Sequence, residues 1–307
     1  MKEIIKITLA LIITCVVAAS AMGLTFTLTA KAKKHNHHMN VHNAMMGLLG
    51  FGQDNPAPSD LELLSVYRYI VEDSDQKFLG YMVPVEKDGE ETYEMVLIDL
   101  ESNFVKKLEV PISMEAAQEA HDRASALDKV LSPNQSFIYA DASVIATAGN
   151  KRIGYILPGK FPGFRTFIHV LVAMDPQFEL LGLEIMEHEE DAGLGAEIEE
   201  DYFKKQFEGI SYDKLKTLNV VKKPMPEEYT QYLEREQLTE GLLTKEHIAE
   251  IQRKYKDQDI YAITASTISS KAVTNGVKGI AKKFAYRIGK LDSVLEKQVS
   301  GTSEHLD

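Results

Sequence analysis

Thr264-Ala265-Ser266-Thr267-Ile268-Ser269-Ser270-Lys271-Ala272-Val273 is the stretch on which the reading of this chain turns. After Thr267 the apolar positions are Ile268, Ala272, Val273, Val277, Ile280, Ala281, Phe284, Ile288 and Leu291. That spacing predicts one long helix with a single buried stripe. Lys278, Lys282, Lys283, Arg287 and Lys290 crowd its second half, where cations complement the helix dipole. The hydroxyl-rich run therefore sits at a helix start. The first backbone N–H groups of a helix lack partners and carry partial positive charge, so such a start can hold a phosphate. Ser and Thr at this place are also ordinary caps, and residue type alone leaves both readings open.

Upstream lies His188-Glu189-Glu190-Asp191-Ala192-Gly193-Leu194-Gly195. Its two glycines permit φ > 0 and close backbone approach, as a loop against a flat ring would need; a plain Gly-containing turn is the other reading. Before it, 167–174 and 180–185 read as paired strands around Asp175-Pro176-Gln177.

Together these two elements resemble the covalent-flavin subunits of bacterial respiratory complexes: the one designated G in the Rnf complex and the one designated C in the sodium-pumping NADH:quinone oxidoreductase. The family attachment pattern is roughly Asp, two residues, Ser/Thr-Gly-Ala-Thr, then a Ser/Thr-rich helix start. Its final threonine falls on Thr267 and its Ser/Thr on Thr264. Ala265, Ser266 and Tyr261 stand where the pattern has Gly, Ala and Asp, and Asp259 lies two residues from the last position. The second family signature, about His-x-Glu-Thr-Pro-Gly-Leu-Gly, is matched by His188, Glu190, Gly193, Leu194 and Gly195. The resemblance runs from about Arg152 to Leu291. It implies FMN joined to Thr267 through a phosphoester by a separate flavin transferase. Thr264, Ser266, Ser269, Ser270 and nearby backbone N–H groups would lie at the phosphate, and Glu190, Gly193, Leu194 and Gly195 along the isoalloxazine.

Ile7 to Ala30 contains no charged residue, longer than the roughly 20 residues that span a bilayer. Lysines flank both ends, so the positive-inside rule does not orient it. A cleaved signal peptide with its small-residue site at Ala18-Ala19-Ser20-Ala21 is the rival reading. The family resemblance implies a single-pass anchor in the bacterial cytoplasmic membrane, with the soluble domain on the periplasmic or outer face. Cys15 is the sole cysteine, which excludes an internal disulfide and Cys-based iron–sulfur or zinc sites. The formal net charge of −12 argues against nucleic acid.

The expected fold class is α+β: a transmembrane helix, then an antiparallel sheet with helices. The plan is an anchor over 1–30, a polar His/Met-containing linker over 31–58, a β-rich unit over 59–132, a flavin-binding domain over 133–293 and a tail over 294–307. Residues 78–84 echo 152–158, with Tyr93 and Phe104 meeting Phe167 and Phe178 at the same offset, which suggests two related β units; chance likeness between hairpins is the alternative. A helix capped by Ser113 is expected to turn Ala116, Ala117, Ala120, Ala124, Leu127 and Leu131 inward. Residues 222–258 read as a helical insertion, one piece over Glu227 to Glu236 and another capped by Thr244 with Ile248, Ile251 and Tyr255 as its apolar stripe.

His37, His38 and His42, near Met39, Met45 and Met46, are weak candidates for copper or haem ligands; a polar linker needs no metal to explain them, and no metal site is expected. The acidic run from Met186 to Asp201 reads as a solvated face. No P-loop, nucleophile elbow or His-Glu-x-x-His is present, and no side chain is assigned a catalytic role. The functional expectation is a membrane-anchored relay of an ion-translocating ferredoxin:NAD oxidoreductase, working with the other subunits of that complex. The flavin subunit of the sodium-pumping quinone reductase is one alternative. An anchored scaffold or sensor without covalent flavin is another, supported by Tyr261, Ala265 and Ser266.

Overall fold

A computed structural model describes residues 2–74, 76–87, 89–149, 151–234 and 244–303. The chain divides into two compact units, Met1–Gly47 and Leu48–Asp307.

The first unit is helix α1, Lys2–Leu48. Its segment Lys2–Ala30 is long and apolar enough to cross a membrane, with a mean hydropathy of 2.3. Thr8, Thr14, Thr25, Thr27 and Thr29 each return their hydroxyl to the carbonyl four residues earlier, which satisfies them without solvent. The expected linker begins as helix: α1 continues unbroken through its first 18 residues. No proline or glycine intervenes until Gly47, and the reversal falls at Gly50, with φ +80.

The second unit is built on one antiparallel sheet of eight strands: β1 Leu61–Asp73, β2 Gln76–Lys87, β3 Glu90–Ile98, β4 Phe104–Val110, β5 Gln135–Ala148, β6 Lys151–Pro162, β7 Phe167–Met174 and β8 Leu180–Glu187. Their spatial order is β4-β3-β2-β1-β5-β6-β7-β8. Each half is a meander, and the halves join along β1 and β5, which pair from Leu61↔Ala148 to Asp73↔Gln135. The stretches read as separate β units thus share one sheet. The echoing segments 78–84 and 152–158 occupy β2 and β6, each next to the central pair.

Helix α2, Ala120–Val130, covers one face of the first meander, meeting Tyr67, Tyr69, Val71, Met82, Met95 and Leu97 through Ala126 and Leu127. The helix expected from Ser113 is broken. Ser113 accepts from the Ala116 N–H at 3.2 Å, but only a 3-10 turn follows, and Glu119 is extended before α2 begins. This break resets the helical phase, so Ala120 faces solvent and Arg123 is buried. Arg123 lies over the Tyr67 ring at 4.1 Å and donates to Tyr69 Oη and the Ala117 carbonyl.

The opposite face carries helix α7, Thr267–Ser303. Its Val273, Val277, Ala281, Phe284, Ile288, Leu291 and Val294 join Tyr155, Leu157, Phe161, Val170 and Val172 in the main core. Each such side chain contributes about 1.5–3 kcal/mol relative to exposure. Helix and sheet approach closely at two glycines. A Cβ on Gly276 would stand 2.1 Å from the Phe161 ring, and one on Gly159 2.3 Å from Ile280. The expected tail from residue 294 is helical through Ser303, because Leu291, Val294 and Leu295 prolong the apolar stripe.

Between β8 and α7 run short elements: α3 Asp201–Lys204, α4 Tyr212–Thr217, β9 Val220–Val221, α5 Glu227–Leu233, α6 Lys245–Tyr255 and β10 Ile260–Tyr261. Strands β9 and β10 pair in parallel and bracket the insertion. Thr244 caps α6 by accepting from the His247 N–H at 3.3 Å, and Tyr229, Leu233, Ile251 and Tyr255 close a small apolar cluster. The last residues of the expected piece Glu227 to Glu236 lie outside the described residues.

Candidate functional site

The start of α7 is formed by a turn in which the Ser266 N–H donates to the Ile263 carbonyl at 3.0 Å. Ala265 occupies the left-handed region at φ +62, a conformation that favours glycine. Ser270 braces the turn from inside, accepting from the Ile263 N–H at 3.0 Å and donating to the Ser266 carbonyl at 2.9 Å. Ser269 is 2% exposed and donates its hydroxyl to Glu190. Successive helical residues turn by about 100°, so Thr267 lies roughly 200° from Ser269, at the edge of the buried stripe, and is half-buried. Among the described residues the Thr267 hydroxyl has no hydrogen-bond partner, and neither do the backbone N–H groups of Thr267, Ile268 and Ser269.

The loop after β8 comes to this point. Its His188 Nδ1 accepts from the Glu190 N–H at 3.0 Å, and His188 Nε2 lies 2.8 Å from Glu199. Gly193, at φ +71, allows the tight turn in which the Leu194 and Ala196 N–H groups both donate to the Asp191 carbonyl. Gly195 lies where a Cβ would stand 2.7 Å from Glu190 Oε2 and 2.8 Å from Ser269 Oγ.

A third segment completes the site: the turn 163–166 between β6 and β7. The Phe164 and Arg165 N–H groups donate to Glu190 Oε1 at 2.8 and 3.2 Å, and Arg165 pairs with Asp191 at 2.7 Å. Pro162-Gly163 is a turn signal in the sequence, but nothing local says which carboxylate the turn will meet. Each segment leaves one apolar side chain in solvent: Phe164 (56% exposed), Leu194 (43%) and Ile268 (60%).

The expected site residues are therefore gathered but divided in orientation. Thr264 is exposed, Thr267 half-buried, and Ser266 buried with no partner for its hydroxyl among the described residues. Ser269 and Ser270, expected at a phosphate, are turned inward and engaged with the protein. Glu190, expected along the ring, lies beneath the surface at 7% exposure. Asp259 does not approach Thr267's turn as a free acid. It accepts from Lys214 at 2.6 Å and the Asn219 N–H at 3.1 Å. Burial alone would raise its pKa; the hydrogen bonds from Lys214 and Asn219 and the charge of Lys214 outweigh burial and hold it below the ordinary carboxylate value. Tyr261 donates its N–H to Gln206 at 2.7 Å. His37, His38 and His42 all lie on α1; among the described residues no three His, Cys, Asp or Glu side chains converge to hold a metal.

The arrangement suits a phosphate monoester. A hydroxyl beside three unpaired N–H groups at a helix start can accept such a group.

Residues 163–282 match the model of the FMN-binding domain family, and the match begins at the 163–166 turn. A relative from Clostridium ljungdahlii, the subunit designated G of the proton-translocating ferredoxin:NAD(+) oxidoreductase complex, is 32% identical over 133 residues, which are 43% of this chain and 54% of the relative. The chain thus spans about half the length of that curated relative. A solved structure from Parabacteroides distasonis, the subunit designated C of the Na(+)-translocating NADH-quinone reductase, is 17% identical, with a TM-score of 0.33 over 60% of this chain and 72% of that one; a likeness this loose adds nothing to the fold. Residues 163–282 of this chain thus match the FMN-binding domain family, and the chain is similar over 133 residues to a subunit of an ion-translocating ferredoxin:NAD(+) oxidoreductase complex.

Proposed function

We propose that this chain is the membrane-anchored electron relay of an Rnf-type ferredoxin:NAD oxidoreductase complex, with FMN esterified to Thr267. The observation that carries the proposal is the half-buried Thr267 hydroxyl, unpartnered among the described residues, at a helix start with three N–H groups likewise unpaired. Those N–H groups and Thr264 hold the phosphate oxygens, and Phe164, Leu194 and Ile268 flank the ring. FMN supplies reversible electron transfer when bound; the chain sets its attachment, orientation and exposure. The Rnf assignment rests on the identity to the Clostridium ljungdahlii relative. The sodium-pumping quinone reductase is the alternative complex. Segment Lys2–Ala30 supports a single-pass anchor in a bacterial cytoplasmic membrane, and the domain is assigned to the outer face by family likeness. The matching placement of β2 and β6 supports an old duplication of the meander, in which only the second copy holds flavin.

Ala265, Ser266 and Tyr261 favour a second reading, an anchored scaffold without covalent flavin. Co-expression with a flavin transferase separates the two. The relay predicts in-gel flavin fluorescence after denaturation and a mass gain of about 438 Da, one FMN less water. Both disappear in Thr267→Ala. An unlabelled wild-type chain, with the transferase active on another substrate, leaves only the scaffold.

A further inference from the structure

We propose that Glu190 is the positioning residue of this site: one buried carboxylate ties the first turn of α7 to the glycine loop and the β6–β7 turn, so that Ser269 is engaged and Thr267 is the hydroxyl presented. The inference deepens the attachment reading above and rests on it.

A carboxylate withdrawn from water is stable only when its oxygens are satisfied. Glu190 meets no cation within ion-pair distance among the described residues; the neighbouring Arg165 turns to Asp191. Its donors are the Phe164 and Arg165 N–H groups on one oxygen and the Ser269 hydroxyl on the other. Each donor belongs to a different element from Glu190 itself. The group therefore joins the β6–β7 turn, the glycine loop and the first turn of α7 at one point. Gly163 and Gly195 leave the space for it. A Cβ at either would stand 2.4 Å and 2.7 Å, respectively, from a Glu190 oxygen.

Two consequences follow for attachment. Ser269, a competing nucleophile two residues from Thr267, has its proton held by Glu190 and its oxygen buried. The same bond holds in place the first turn of α7, which carries Thr267. In the attachment step the Thr267 Oγ1–phosphorus bond forms and a phosphoanhydride bond of an activated flavin dinucleotide breaks. The threonine proton leaves with the departing nucleoside monophosphate. Glu190 makes no contact with Thr267 and handles no proton in that step; its contribution is orientation.

The test uses the full chain in detergent, as wild type, Glu190→Ala, Glu190→Gln, Ser269→Ala and Glu190→Ala/Ser269→Ala. Two readouts are taken: amide hydrogen exchange before flavin is added, and the initial rate of labelling by transferase and flavin dinucleotide, with the modified residue mapped by mass. Glu190→Ala is expected to raise exchange in 163–166, 188–196 and 263–270 together and to slow labelling about tenfold or more. The double variant is no slower than Glu190→Ala, because both changes remove one shared contact. Glu190→Gln keeps an acceptor for Phe164 and Arg165 and donates its amide to Ser269, so it labels within about threefold of wild type. Wild-type labelling in Glu190→Ala, or looser exchange confined to 188–196, overturns the proposal. Should Glu190→Ala not fold, Ser269→Ala decides: unchanged exchange at 263–270 overturns it. Absence of labelling in the wild type overturns the flavin reading instead, and the exchange pattern then decides the role of Glu190 alone.

Discussion

Ala265→Gly is expected to stabilise this protein, an unusual direction for a glycine substitution. Ala265 holds φ +62 in the turn before α7 and its side chain is exposed, so removing its methyl opens no cavity. The left-handed conformation costs a residue with a Cβ about 1–2 kcal/mol. Glycine gives back part of that through its freer unfolded chain, about 0.4–1 kcal/mol. The difference leaves a net gain of about 0.5–1 kcal/mol. For a unit of this size that raises Tm by about 1–3 °C, measurable by differential scanning calorimetry in detergent. Ala265→Val is the control. Its β-branch makes the same φ harder to hold, and a loss of more than about 1 kcal/mol is expected. Destabilisation by glycine, or indifference to valine, would show that the turn is not held at positive φ and would remove the structural basis for equating Ala265 with the family's glycine.

Three further outcomes follow. Thr267→Ala should leave thermal stability within about 0.5 kcal/mol of wild type, since the hydroxyl bonds to none of the described residues, while abolishing flavin fluorescence on a denaturing gel. Gly276→Ala should destabilise by about 1–3 kcal/mol or more, because its methyl would overlap the Phe161 ring; Phe161→Leu in the same chain should recover part of the loss in urea melts. Asp259 has a folded pKa below its unfolded value, so its contribution is present above the ordinary carboxylate pKa and lost as pH falls through the folded one. The stability advantage of wild type over Asp259→Asn should be flat above about pH 5 and shrink from about pH 4 downward. An advantage that persists to pH 2 would contradict the ion pair with Lys214.

Much of this fold is legible residue by residue. The apolar stripe of α7 repeats at helical spacing over many turns, and β7 and β8 flank a turn held by Asp175, whose carboxylate accepts from the Gln177 and Glu179 N–H groups at 2.8 Å each. The Thr244 cap and the apolar run of α1 are equally local. All of these depend on neighbours within a few residues, and local spacing encodes them directly. The site was legible as a set of residue types: a hydroxyl run, a Glu and two glycines in order.

The tertiary structure alone decided how those types divide. Ser269 and Thr267 are chemically alike and two positions apart, yet one is buried against Glu190 and the other is half-buried and bonded to none of the described residues. That division depends on a carboxylate 79 residues away and on which turn meets it, and no local motif announced either. The same holds for the joining of both meanders through β1 and β5 and for the burial of Arg123 against tyrosines of β1. Each is a contact between segments distant in sequence, and pairing at that range depends on which faces are left to be covered once every local element has formed.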